Sequence, residues 1–174
     1  MFKFISKKID QEVKLYNKIV FLSRNKLFYT NLELNDTFQN RINLIFLHIS
    51  FIFVKLKKSE NEINYKLFNQ EIFDFMFKNI DQNMREIGYG DVSVNKNMKY
   101  LVKVFYKILL NSEDYYKKDL NSKSLFLQNF LTTKIDKKGN NKYELARYFD
   151  KYQAFCLDLS LDSILKGELN FNYK

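Results

Sequence analysis

The chain has no proline, no tryptophan, one histidine, one cysteine and four glycines in 174 residues. Each scarcity removes a class of chemistry. A structural zinc site takes about four His or Cys ligands, and His48 and Cys156 are the whole supply. A single cysteine forms no intramolecular disulfide, which fits a reducing compartment. Cys156 stands between Phe155 and Leu157, the setting of a buried, inert thiol. Gly88-Tyr89-Gly90 is a lone Gly-x-Gly. Ser93 stands where a dinucleotide fingerprint has its third glycine, and the motif follows a helical pattern instead of a strand. No phosphate-binding P-loop occurs, and carboxylate pairs such as Glu71 and Asp74 have the spacing of a solvated helix face. The expectation is a protein that is not an enzyme and needs no cofactor or metal.

Long apolar runs are also missing. The greasiest stretch, residues 42–56, is broken by His48, Ser50 and Lys55 and falls short of the ~20 residues that span a bilayer. It reads as a buried core helix. Residues 1–20 are basic, but they include Asp10 and Glu12 and have no apolar centre, so no signal peptide is expected.

Lysine, asparagine, isoleucine, phenylalanine and tyrosine are plentiful instead. Codons rich in A and T account for much of that bias. The net charge is still +9, and the first 30 residues hold seven basic against two acidic side chains. Such a surplus attracts RNA, anionic lipid or acidic protein patches.

The periodicity is helical nearly throughout. Ile9, Val13, Tyr16 and Val20 lie on one face of a first helix. Asp36 is placed to cap a second, with Phe38, Ile42, Ile45, Phe46, Ile49, Phe53 and Leu56 as its main stripe and other apolar residues around it. A helix apolar nearly all round belongs at the centre of a bundle. Residues 57–64 read as a loop, 65–78 as a third helix, and 81–86 as a short capped turn ended by Gly88. Further helices are expected over residues 94–110 and 124–133, then a flexible turn at 137–141. A last long helix holds Leu145, Tyr148, Tyr152, Phe155 and Leu159, and residues 167–174 read as a loose end. The expectation is one all-α domain over residues 1–174, a compact bundle of about six helices.

One segment concentrates charge and glycine in a helix connector: Arg85-Glu86, Gly88, Gly90-Asp91, Val94 and Lys96. Here the chain resembles the ubiquinol–cytochrome c chaperone family, whose most recognisable motif has this form. The resemblance continues upstream in Tyr16-Asn17-Lys18-Ile19-Val20, Arg24, Asn35-Asp36-Thr37, Arg41 and Leu47-His48, and downstream in Lys99 and Phe105-Tyr106. It is strongest over residues 12–132. The chain departs from the pattern at Asn35 (often proline), Asn40 (often glycine), Lys107-Ile108 (often Gly-Arg) and Gln128 (often arginine).

The resemblance implies an all-helical chaperone for assembly of respiratory complex III. Its client would be newly made cytochrome b, met near the ribosomal tunnel exit. The implied location is the cytoplasmic side of a bacterial inner membrane, peripherally attached, or the mitochondrial matrix in a eukaryote. No small-molecule substrate is implied. The candidate client or partner contacts are Arg85, Glu86, Gly88, Gly90, Asp91, Lys96, Arg41, His48 and Tyr106. Arg85, Glu86 and Asp91 form either a charged recognition edge or an ion pair and cap that fixes the connection. Arg41 and His48, seven residues apart, fall on one helix face. His48 is either a contact or a satisfied core residue. The competing readings are an RNA- or ribosome-binding protein and a membrane-surface adaptor.

Overall fold

The computed structural model describes residues 2–58, 62–134 and 143–173, with the backbone alone for 2–10 and 62–64. The described residues form eight helices: α1 (Phe2–Ser23), α2 (Leu27–Thr30), α3 (Phe38–Lys57), α4 (Glu62–Glu86), α5 (Asp91–Glu113), α6 (Leu120–Gln128), α7 (Glu144–Asp158) and α8 (Leu161–Leu165). A 3-10 turn lies at Tyr115–Lys117. Two of the helices are a turn or so long, so the expected all-α bundle of about six substantial helices is what forms. Residues 137–141 and the side chain of Ile9 lie outside the described residues.

α3 is the axis of the bundle. It packs against α1, α4, α5 and α7, which is why its apolar residues run round the whole helix. Leu44, Phe46, Leu47, Ile49 and Ile52 are fully buried. Its N-cap is Thr37 and not Asp36: extended backbone turns the Thr37 hydroxyl onto the Asn40 amide. Asp36 instead takes a two-pronged ion pair from Arg41, at 2.7 and 2.9 Å.

α1 buries Leu15, Tyr16, Ile19 and Leu22. Val13 and Val20 sit at the edge of that face, so the true stripe is turned from the expected one. The connection between α3 and α4 is shorter than expected, since the helices end at Lys57 and begin at Glu62. No break divides α4 near residue 80. Phe77, Ile80 and Met84 continue the inward face of Phe68, Ile72 and Met76, and that burial carries the helix past Asp81. α4 closes in a Schellman motif: Gly88 adopts φ +98°, Tyr89 N donates to Met84 O at 3.0 Å, and Gly88 N to Arg85 O at 3.0 Å.

α6 starts earlier than expected because Asp119 caps it, accepting from Ser122 N at 3.0 Å. It also ends earlier. Thr133 pairs with Leu34 in an isolated antiparallel bridge, and Asn35 N donates to Thr132 O at 3.0 Å. Asn40 ties this junction together. Its side-chain amide donates to Asn35 O at 2.8 Å and Thr132 O at 2.7 Å, and its oxygen accepts from Thr132 N at 3.0 Å. A glycine there would make none of these bonds. Asn40→Ala is expected to cost about 2 kcal/mol, because it removes three part-buried hydrogen bonds to backbone groups at once. Urea denaturation checks this, and a change within a few tenths would mean the junction closes without Asn40.

The segment after α8 is packed, against the expectation of a loose end. Leu169 is buried, and Phe171 and Tyr173 lie on the core. Gly167, at φ +69°, lies against the α1 backbone.

Candidate functional site

The motif occupies the α4–α5 corner. Arg85, in the last turn of α4, donates through Nε to Asp81 at 2.6 Å and through Nη1 to Asp91. These bonds favour its charged form. Asp91 is in the first turn of α5, where a carboxylate is also favoured by the helix dipole. The arginine thus clamps one helix end to the next helix start. Gly90, the α5 N-cap, has open space where a side chain would project.

The clamp leaves apolar groups in water. Ile87, Tyr89 and Val92 project from the corner, Ile87 at 59% exposure. Beside them is a cavity of about 220 Å³ between α1, α3 and α4. Its floor includes Val20, Phe38, Ile45 and Ile80, and its rim includes Arg24, Arg41 and Glu86. Arg24 also lines a larger cavity of about 560 Å³ between α1 and residues 169–173, beside Phe21 and Phe171. Phe21 is 76% exposed. Two neighbouring cavities, each lined by apolar and polar side chains together, therefore meet at Arg24.

The structure brings together some of the residues picked from sequence and separates others. Glu86 and Arg41 share the smaller cavity. Arg85, Gly88, Gly90 and Asp91 build the adjoining corner. Lys96 and Tyr106 are elsewhere, on the outer side of α5. His48 takes the core reading: it is fully buried while Arg41 is exposed, so the two share no surface. Its Nδ1 lies 2.6 Å from Leu44 O and its Nε2 lies 2.8 Å from Tyr148 Oη. A carbonyl only accepts, so Nδ1–H donates to it and Nε2 accepts from the tyrosine. Burial lowers the imidazole pKa to about 4, so the ring is neutral and both nitrogens are used. Burial likewise pushes the Cys156 thiol up to about 12, as expected for an inert core cysteine.

Phe21, Ile87, Tyr89 and Val92 were missed as surface residues. Phe21 and Val92 carry a sequence signal, since each falls off the buried stripe of its helix. Ile87 and Tyr89 carry none, because a connector has no period.

No group of three or more metal-ligating side chains occurs among the described residues, and no described helix is long and apolar enough to cross a membrane. The described residues thus form an all-α bundle with exposed apolar side chains and charged groups at one corner. The chain belongs to the ubiquinol-cytochrome C chaperone family, whose profile matches residues 30–171. Its fold is similar to the crystal structure of the Cbp3 homolog from Brucella abortus. The TM-score is 0.82 at 24% identity, over 98% of this chain and 93% of that one. No curated protein matches the chain.

Proposed function

We propose that this protein is a non-enzymatic chaperone for assembly of ubiquinol–cytochrome c reductase, and that its client is newly synthesised cytochrome b. Family membership carries this reading. The corner supplies a physical means. An apolar segment of a membrane protein needs temporary cover while it is outside lipid, and the walls around Arg24 offer it without enclosing it. Shallow contact lets the client leave, since affinity depends on a few well-packed anchors and not on area alone. Arg24, Arg41 and Glu86 line the smaller cavity, and in this reading they meet the charged residues that flank a transmembrane segment. Such a client is met as it leaves the ribosome, beside the membrane that receives it.

The test is reduced-minus-oxidised difference spectroscopy of cytochrome b in membranes of a deletion strain, with the gene restored. The expected result is a selective loss of the cytochrome b signal that the gene repairs. Arg85→Gln and Asp91→Asn are each expected to keep the thermal midpoint within a few degrees, because the ion pair is exposed. Each should restore cytochrome b only in part. Full restoration by both folded variants would show the pair to be a structural clamp alone.

A further inference from the structure

Most of the outward face of α5 is used by neither the corner nor the core; Val92 borders the corner, and Tyr106, itself half exposed, leans on Phe73 of α4. Val92, Lys96, Lys99, Lys103, Tyr106 and Leu110 follow one another at steps of 4, 3, 4, 3 and 4 residues. That spacing draws a single stripe along a helix. All six are exposed, Val92 at 84% and Leu110 at 66%. Val94, Leu101, Val104, Phe105 and Ile108 take the inward side, so the stripe is left over after the core is satisfied. It is about 27 Å long at 1.5 Å per residue.

Its charge is uncompensated. Lys96, Lys99 and Lys103 make no ion pair among the described residues, and the stripe contains no acid. The acids of α5, Asp91 and Glu113, lie at its two ends and are engaged by Arg85 and Lys57. Three adjacent cations without counterions cost stability by mutual repulsion unless something anionic meets them. Aliphatic groups at both ends narrow the choice. Val92 and Leu110 have no ring to stack on a base, whereas an acyl–headgroup boundary takes valine and leucine and accepts tyrosine with its hydroxyl in the polar layer. Lysine's long stem reaches phosphate while its methylenes stay in the apolar zone.

We propose that this stripe of α5 docks the protein on an anionic phospholipid surface, with the three lysines on headgroup phosphates and Val92, Tyr106 and Leu110 at the interface. The inference rests on the reading above for its purpose, since a chaperone of a membrane protein works beside the membrane. Its chemistry stands without it. Val92 also adjoins Tyr89 and Ile87, so a docked α5 would hold the corner at the lipid surface.

The experiment is flotation of the full-length protein with vesicles of phosphatidylcholine, with and without phosphatidylglycerol. Binding is expected on the anionic vesicles alone, and it should fall as salt rises. Each lysine near such a surface is worth about fivefold in affinity, so Lys96→Gln, Lys99→Gln and Lys103→Gln combined should weaken it on the order of 100-fold. Leu110→Asn should remove the binding that survives at high salt. All four positions are exposed, and circular dichroism checks that the fold is intact. Equal binding by wild type and triple variant overturns the proposal, as does equal binding to neutral vesicles. So does displacement from the vesicles by an RNA oligonucleotide held through the same lysines, which would make the stripe an RNA surface. The two readings fail separately. If the deletion strain keeps its full cytochrome b signal while lipid binding behaves as expected, the client reading falls and the docking surface stands.

Discussion

Gly167→Ala is expected to lower the thermal midpoint on the order of 5–10 °C, from a loss of about 2–4 kcal/mol. Two effects add. The residue sits at φ +69°, where a Cβ is disfavoured. A Cβ built there would stand 2.8 Å from Lys14 Cβ, 3.0 Å from Leu15 N and 3.1 Å from Gln11 O. Leu15 N and Gln11 O are backbone atoms of α1 and have no rotamer to swing into, so the strand of chain after α8 must lift. The glycine also completes the α8 Schellman turn, with Glu168 N donating to Ser163 O at 2.8 Å. Lifting it would withdraw Leu169, Phe171 and Tyr173 from the core. The other glycines of known setting serve as controls. Gly88→Ala should cost about 1–2 kcal/mol from its positive φ alone, since no atom lies within 4 Å of its added Cβ. Gly90→Ala has neither problem, at φ −72° with open space, and should cost only up to about 1 kcal/mol, from the N-cap preference for glycine over alanine. Thermal unfolding by circular dichroism checks the order. A Gly167→Ala protein as stable as Gly90→Ala would show that the tail does not press on α1.

The second large effect is on pH dependence. His48 has its pKa lowered from 6.5 to about 4, chiefly by burial, with the bond to Leu44 O opposing. The sign follows from linkage. Between these values the unfolded chain binds a proton that the folded chain refuses. Stability is therefore highest above pH 6.5 and falls as the pH drops toward 4. The size at the acid end is about 3 kcal/mol, since each pKa unit is about 1.4 kcal/mol. Ordinary carboxylates add their own loss at lower pH, so the contribution is read as a difference. Urea unfolding of wild type and His48→Gln should be compared from pH 7.5 to 4.5. The variant is expected to be less stable at neutral pH, because it breaks the chain from Leu44 O to Tyr148. It should lack the wild type's extra slope below pH 6.5. Parallel curves would mean that His48 keeps its charge in the core.

The two effects mark where local reading works. Helix identity, the central position of α3 and the burial of Cys156 were legible from the sequence, because each rests on apolar period and on neighbours a turn away. The motif at residues 85–91 was legible for the same reason. A helix end, a glycine at positive φ and the next helix start are close in the chain.

What the sequence by itself determined is the list of faces: which side of each helix is apolar, where glycine permits a turn, and which residues have no partner nearby. Depth was left to the tertiary structure. Arg41 and His48 share an angular position, but Arg41 is in the exposed first turn of α3, and His48 is two turns further in, under α7. The stretch 79–86 holds polar residues that suggest a break, yet Ile80 and Met84 find the core and the helix runs on. Residues 167–173 look like a loose end until Gly167 lets them lie on α1. The cavity that joins Arg24, Arg41 and Glu86 brings together three helices and has no sequence signature. Periodicity reports one helix at a time, whereas burial depends on which other helix arrives to cover it.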